Sequence, residues 1–383
     1  MRLDLYGGFG EKGRTCLGVE SGGYRLLLDA GVKVSARGGN DYYPSIPDAA
    51  LKAIDAILIT HGHEDHVAAL GWLIGRGFAG RIFMTPETRY EAEITLAGYA
   101  LPEHLTLLRG ATVERLPIGA DALRLGPLRI STGRSGHVAG GVWCRIDDGR
   151  VTVDYCGDMV PASPVFAMDP VPRCDAVVID ASYGGDDVPA QARAAEVAAW
   201  IAARPQGCVL PTPLYGRSAE LLAIVPGPVA LAAGMRDALR AQIDGRRWLV
   251  DGVAHALEER LHAAVDWSGG SALPRAALLC HDAMGISGPS RDILVQAAAR
   301  GWPTLFTGHL PANSPGERMV AEESAAWIRL PTHPTLTENL AIAAASGAKT
   351  VLGHSCDQTQ LSWLKQHMPR LRDDLATGDC VDL

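Results

Sequence analysis

Six consecutive residues, His61-Gly62-His63-Glu64-Asp65-His66, constrain this chain more than any other stretch. They follow a short β-branched apolar run, Ala56-Ile57-Leu58-Ile59-Thr60, which reads as a buried strand. They open into Val67-Ala68-Ala69-Leu70-Gly71-Trp72-Leu73, which reads as helix. Polar and ionisable residues at a strand-to-helix turn are costly to bury without a task. On a strand, His61 and His63 point the same way, because side chains alternate faces with period two. Asp65 and His66 then come from the first helical turn, so the two pairs can grip two different ions. Imidazole and carboxylate ligands suit zinc, with manganese admissible where oxygen ligands are plentiful. The competing reading is a surface loop rich in histidine. Four candidate ligands within six residues, at the end of a core strand, weigh against it.

The remaining composition limits the class of protein. A chain of 383 residues has length for two domains or one large α/β domain. Its hydrophobic fraction of 47% and charged fraction of 20% are those of an ordinary globular protein. No apolar run has the length of a membrane span, and Met1-Arg2-Leu3-Asp4-Leu5 lacks the build of a signal peptide. Eight cysteines are scattered singly, which argues for reduced thiols and a cytoplasmic location rather than a disulfide framework. The net charge of −8 disfavours a wholly basic nucleic-acid binder. It still leaves room for local arginines and bound cations to attract phosphates.

Along the chain, Leu3-Asp4-Leu5-Tyr6, Cys16-Leu17-Gly18-Val19-Glu20 and Tyr24-Arg25-Leu26-Leu27-Leu28 read as an antiparallel meander ending at Asp29. Asp29, isolated after a strand, reads as a turn former. His104 stands in a polar segment and reads as surface. His137 lies among Gly136, Gly140 and Gly141, where backbone can approach a metal. The run Val151-Thr152-Val153-Asp154-Tyr155-Cys156-Gly157-Asp158 is a strand ending in an acid, and Val177-Val178-Ile179-Asp180 is another. Gly184-Gly185-Asp186-Asp187 marks a domain entry, with α/β alternation behind it. Near the C-terminus, His333 sits between prolines, and Thr350-Val351-Leu352-Gly353-His354 is a strand ending in histidine.

The turn from His61 to His66 resembles the His-x-His-x-Asp-His signature of the metallo-β-lactamase superfamily. The whole chain is similar to its β-CASP group, which contains ribonuclease J and the nucleases of messenger-RNA 3′-end processing. Gly7-Gly8-Phe9-Gly10-Glu11-Lys12-Gly13 is similar to the opening of ribonuclease J. Asp180-Ala181-Ser182-Tyr183-Gly184 resembles motif A, Tyr215 to Leu222 resembles the Gly-Arg-x-x-Glu-Leu segment, and Met284 to Ser290 the later glycine-rich turn. His333 and His354 fall where motifs B and C belong. Departures are an Asp for the motif A acid, Gly353-His354-Ser355 in place of His-Gly-Glu, and His281-Asp282-Ala283 ahead of Met284.

The resemblance implies an α/β fold, a four-layer αββα metallo-β-lactamase sandwich formed by residues 1–184 and a return segment 331–383. An inserted α/β β-CASP domain would occupy 185–330. It implies two divalent ions, zinc or manganese. His61, His63 and His137 would bind one, Asp65, His66 and His354 the other, with Asp158 bridging. Asp65 and Asp158 would hold the attacking water, and His333 would stabilise or protonate the departing oxygen. Asp180 would hold a neighbouring histidine or the metal shell. Arg217 would organise its turn or touch substrate. The function so implied is a metal-dependent nuclease that hydrolyses phosphodiester bonds of RNA, or of single-stranded DNA, with a two-metal activated water. Its partner would be single-stranded nucleic acid, RNA favoured, with no membrane and with a homodimer admitted. The alternative is a hydrolase of a small lactone, thioester or cyclic phosphodiester on the same fold. A scaffold without catalysis ranks last, because every ligand of the pattern is present.

Overall fold

Short apolar runs separated by glycine and charge give the N-terminal strands Arg2–Gly7, Cys16–Ser21 and Tyr24–Leu28, paired antiparallel. The next strands, Ala56–Leu58, Arg81–Met84 and Val113–Arg115, join in parallel. Helices separate them in sequence, as parallel crossovers require. Cys380–Asp382 closes the other edge, completing seven strands. A second sheet of six runs antiparallel from Gly119–Leu125 to Thr152–Tyr155, then takes Ala176–Asp180 and Thr350–His354 in parallel. The computed structural model describes residues 1–36 and 41–383, the side chains at 121 and 122 excepted.

Alternation along the strands builds the layers. Leu27, Ile57 and Ile82 turn one face of the first sheet to Leu51, Leu73, Ala92 and Leu96 of its helices. Val177, Ile179 and Val351 do the same for the second sheet against Ile342, Leu361 and Leu364. The residues between, Leu26, Leu28, Val178 and Leu352, are also buried and lie on the opposite faces. The Tyr155 hydroxyl of the second sheet donates to Asp29 at the end of a first-sheet strand, 2.7 Å away. This is an α/β sandwich of two sheets between helices.

The chain divides into two compact units. The first comprises Met1–Pro161, Met168–Asp187 and His333–Leu383 and contains both sheets described above. The second comprises Ala162–Ala167 and Val188–Thr332. Its all-parallel sheet orders Cys208–Pro211, Ala277–Cys280, Val229–Leu231 and Val265–Asp266. Within this unit Arg217 Nη2 donates to Thr332 Oγ1 (3.0 Å), and its guanidinium fills the space a side chain at Gly308 would need. Both contacts stay within the unit that carries Arg217. Asp282 closes the turn before Gly288–Ala299, accepting from the backbone of Met284, Ile286 and Ser287.

Two expectations need correction. The strand before the histidine turn ends at Leu58, so His61 and His63 lie on extended backbone beyond it, not on the strand. His104 is buried, 8% exposed, with its ring edge-on to Tyr43, because the helix Pro102–Gly110 packs its backbone on Gly71. In the loop Pro44-Ser45-Ile46-Pro47, Ile46 is buried in the core and Ser45 N donates to Tyr6 O. Among the described residues no helix is long and apolar enough to cross a membrane.

Candidate metal centre

Four strand ends carry the site. Asp29 follows Tyr24–Leu28, Asp158 lies just beyond Thr152–Tyr155, and Asp180 and His354 end neighbouring parallel strands at the same register position. The carboxyl ends of strands in α/β sheets are where such sites are built. The histidine turn is laid against the Asp29 loop by backbone bonds: Ala30 N to His66 O, Val32 N to Glu64 O and Thr15 N to Asp65 O. That approach requires glycine at 31, where a Cβ would sit 1.7 Å from Asp65 O. Asp29 itself adopts a φ of 65°, a left-handed conformation that aspartate tolerates better than most residues.

His61, His63, His137 and Asp158 each bring one ligand atom within 4.8 Å of the others. His137 Nε2 lies 3.0 Å from His63 Nδ1 and 3.6 Å from Asp158 Oδ2, and His61 Nε2 is 3.7 Å from that same oxygen. Asp158 also belongs to a second such group, with Asp180 and His354. His66 Nε2 stands 3.0 Å from Asp158 Oδ1 and 4.0 Å from Asp65 Oδ2. Asp158 is thus common to both groups, with His66 beside it and Asp65 beside His66; the second group contains Asp180 and His354, where Asp65, His66 and His354 were expected. His354 differs from the rest in being engaged at both nitrogens, with Ser355 Oγ at Nδ1 and Gly157 O at Nε2, each 3.0 Å. A carbonyl only accepts, so Nε2 donates to it; ligation through that atom would replace the bond.

A cation fits the first group. Among the described residues, His61 Nε2 is buried without a hydrogen-bond partner. Buried polar atoms left in this state are rare and unfavourable unless something takes up their lone pairs. Burial, then the neighbouring His66, holds His61 well below the usual histidine range, and burial brings His137 down to about 4. Both rings are thus neutral, the form that ligates metal. Burial opposes a charge on His66, but Asp158, Asp29 and Asp65 outweigh it and raise its pKa well above normal. Asp158 is held well below the carboxylate range, burial being overcome by His66 and His333.

Hydrogen bonds aim the ligand nitrogens. Asp29 accepts from His66 Nδ1 (2.7 Å), Thr60 N (2.7 Å), Thr60 Oγ1 (2.9 Å) and Tyr155 OH (2.7 Å). Thr60 Oγ1 gives its proton to Asp29 and so accepts from His61 Nδ1 at 3.1 Å, which turns Nε2 to the centre. His333 Nδ1 donates to Asp180 Oδ2 at 2.8 Å and lies 3.6 Å from Asp158 Oδ2. Asp180 also accepts from Met159 N and Ser182 N, so both of its oxygens are engaged. Thr60, Tyr155 and Ser355 carry no sequence signal of these roles. Glu91 was missed as well: it is 2% exposed, and burial followed by Glu64 pushes it up to about 8.

A family model described as the metallo-β-lactamase superfamily matches residues 10–207. The transcription termination factor FttA of Methanothermobacter thermautotrophicus is 28% identical over 284 residues, covering 68% of this chain and 44% of that protein. The ribonuclease TTHA0252 of Thermus thermophilus is 29% identical over 194 residues, covering 48% of this chain and 44% of that protein. The chain thus spans less than half the length of either relative. A crystal structure of a protein of unknown function from Enterococcus faecalis V583 superposes with a TM-score of 0.62 at 12% identity. It covers 100% of this chain and 99% of that one, a likeness of fold.

Proposed function

Since the chain belongs to the metallo-β-lactamase superfamily, we propose that it is a metal-dependent nuclease acting on phosphodiester bonds of RNA, or of single-stranded DNA. The observation that carries this is the cluster of His61, His63, His137 and Asp158, whose ligand atoms all lie within 4.8 Å of one another. Together with the family, that cluster supports a divalent cation. The reading extends it to a zinc pair, manganese being the alternative, in which Asp65, His66 and His354 serve the second ion and Asp158 both. It also carries the cytoplasmic location and the homodimer. RNA is favoured because the similar proteins include a ribonuclease and a transcription termination factor.

When bound, such ions polarise a phosphoryl oxygen and lower the pKa of water. The chain's own residues supply the rest. Asp180 takes Nδ1–H of His333 and fixes the ring, leaving Nε2 to serve a departing oxygen. Burial works against a charged His333, but Asp180 and Asp158 outweigh it and raise its pKa, so the ring carries a proton to give. Asp65 and Asp158 present oxygens to the same space and orient the attacking water.

Purified protein incubated with labelled single-stranded RNA and DNA, with manganese or zinc and then with chelator, tests the reading. Cleavage that the chelator stops is expected. Turnover of a small phosphodiester or thioester with neither strand cut would sink it in favour of a small-molecule hydrolase. His333→Ala should lower the cleavage rate by roughly 10²- to 10⁴-fold while metal content, read by atomic emission, stays that of the parent. Loss of metal would remove His333 from the proton-transfer role.

A further inference from the structure

The helix Pro86–Tyr99 inverts the usual amphipathic order at its middle. Tyr90 and Ile94 are 57% and 38% exposed, while Glu91 between them is 2% exposed. A buried carboxyl is unfavourable unless a partner compensates it. Among the described residues Glu91 Oε2 has no hydrogen-bond partner, and Oε1 lies 3.6 Å from His63 Nε2. The close approach depends on the residue between the two histidines: a Cβ at Gly62 would stand 2.5 Å from Glu91 Cγ. One helical turn on, Thr95 Oγ1 donates to Gly62 O at 2.6 Å. Glu91 and Thr95 therefore form one face laid on the backbone that carries His61 and His63. The other ring nitrogen of His63, Nδ1, is the one that meets His137 Nε2 at 3.0 Å inside the centre.

We propose that Glu91 is a positioning residue of the metal centre: a carboxyl oxygen of its side chain accepts Nε2–H of His63 and so leaves the Nδ1 lone pair aimed at the cation. A ring held this way has one tautomer instead of two. Asp29 does the corresponding work for His66. The inference rests on the cation centre of the proposed function and is independent of which phosphodiester or ester is cleaved. It is also separable from packing, because a leucine fills a buried site without the desolvation that a carboxyl suffers.

The test measures zinc affinity of the full chain by competition with a chromophoric chelator, for the parent, Glu91→Leu and Glu91→Gln, beside thermal unfolding of the metal-stripped proteins. Glu91→Leu should weaken zinc binding roughly 10- to 100-fold, with the metal-free form unfolding no earlier than the parent. Glu91→Gln, whose amide oxygen still accepts from Nε2–H, should recover most of the loss. Zinc binding unchanged in Glu91→Leu overturns the proposal, and so does a lowered metal-free melting temperature that accounts for weaker binding. Should Glu91→Leu fail to fold, ¹⁵N shifts of His63 in the metal-free parent and Glu91→Gln decide. A proton on Nε2 supports the proposal and one on Nδ1 overturns it. A parent that takes up no zinc removes the metal centre and this proposal together, whereas zinc binding without strand cleavage touches only the nuclease reading.

Discussion

Asp29 takes donors from His66, Thr60 and Tyr155, all within 2.9 Å, whereas the equally buried Glu91 faces His63 at 3.6 Å and leaves Oε2 without a partner. The Asp29 side is built from strand ends, where neighbouring backbones converge and can supply N–H and O–H groups at fixed positions. The Glu91 side is a helix face laid over a loop, where the backbone donors are already spent inside the helix. The difference teaches that half of the centre is complete before any cation arrives. On the other side, among the described residues, Glu91 Oε2 has no hydrogen-bond partner. A cation would therefore tie the helix Pro86–Tyr99 to the sheet ends and stabilise the fold by linkage.

The comparison can be broken from either side. Asp158→Ala should have the largest effect, since both ligand groups share this residue; activity and bound metal should both disappear, checked by cleavage assay and atomic emission. Asp29→Ala should come next, costing about 3–5 kcal/mol of stability in urea unfolding even without metal, because it strips a buried donor set of its acceptor. A loss no larger than that of Glu91→Leu would erase the distinction between the two sides. Gly62→Ala should cost about 1–3 kcal/mol by overpacking against Glu91, and a double-mutant cycle with Glu91→Ala should recover part of it. Tyr155→Phe is the smallest, about 1 kcal/mol, since His66 and Thr60 remain to serve Asp29.

Much of the Asp29 side was legible in the chain. Apolar runs that end in an acid or a histidine mark strand ends, and the order His61 to His66, His137, Asp158, Asp180, His333, His354 follows the family pattern. The helix that bears Glu91 was not legible in the same way. Its sequence does not set Glu91 apart, yet Glu91 is buried while Tyr90 and Ile94 are exposed, because its side chain lies on the Gly62 backbone. His104 misled for a similar reason: its polar neighbours suggest surface, yet packing on Gly71 buries it. The strand before the histidine turn was read too long, since β-branched residues favour extended backbone whether or not a ladder partner follows.

Sequence alone determined which ligand types this protein carries, their order, and the strand ends that present them, because each depends on residues adjacent in the chain. Only the tertiary structure decided which nitrogen of each ring faces the centre and which carboxylate holds it there. Those choices rest on hydrogen bonds between segments far apart, such as Tyr155 to Asp29 across 126 positions, and no local pattern encodes a contact that forms only when two sheets have packed.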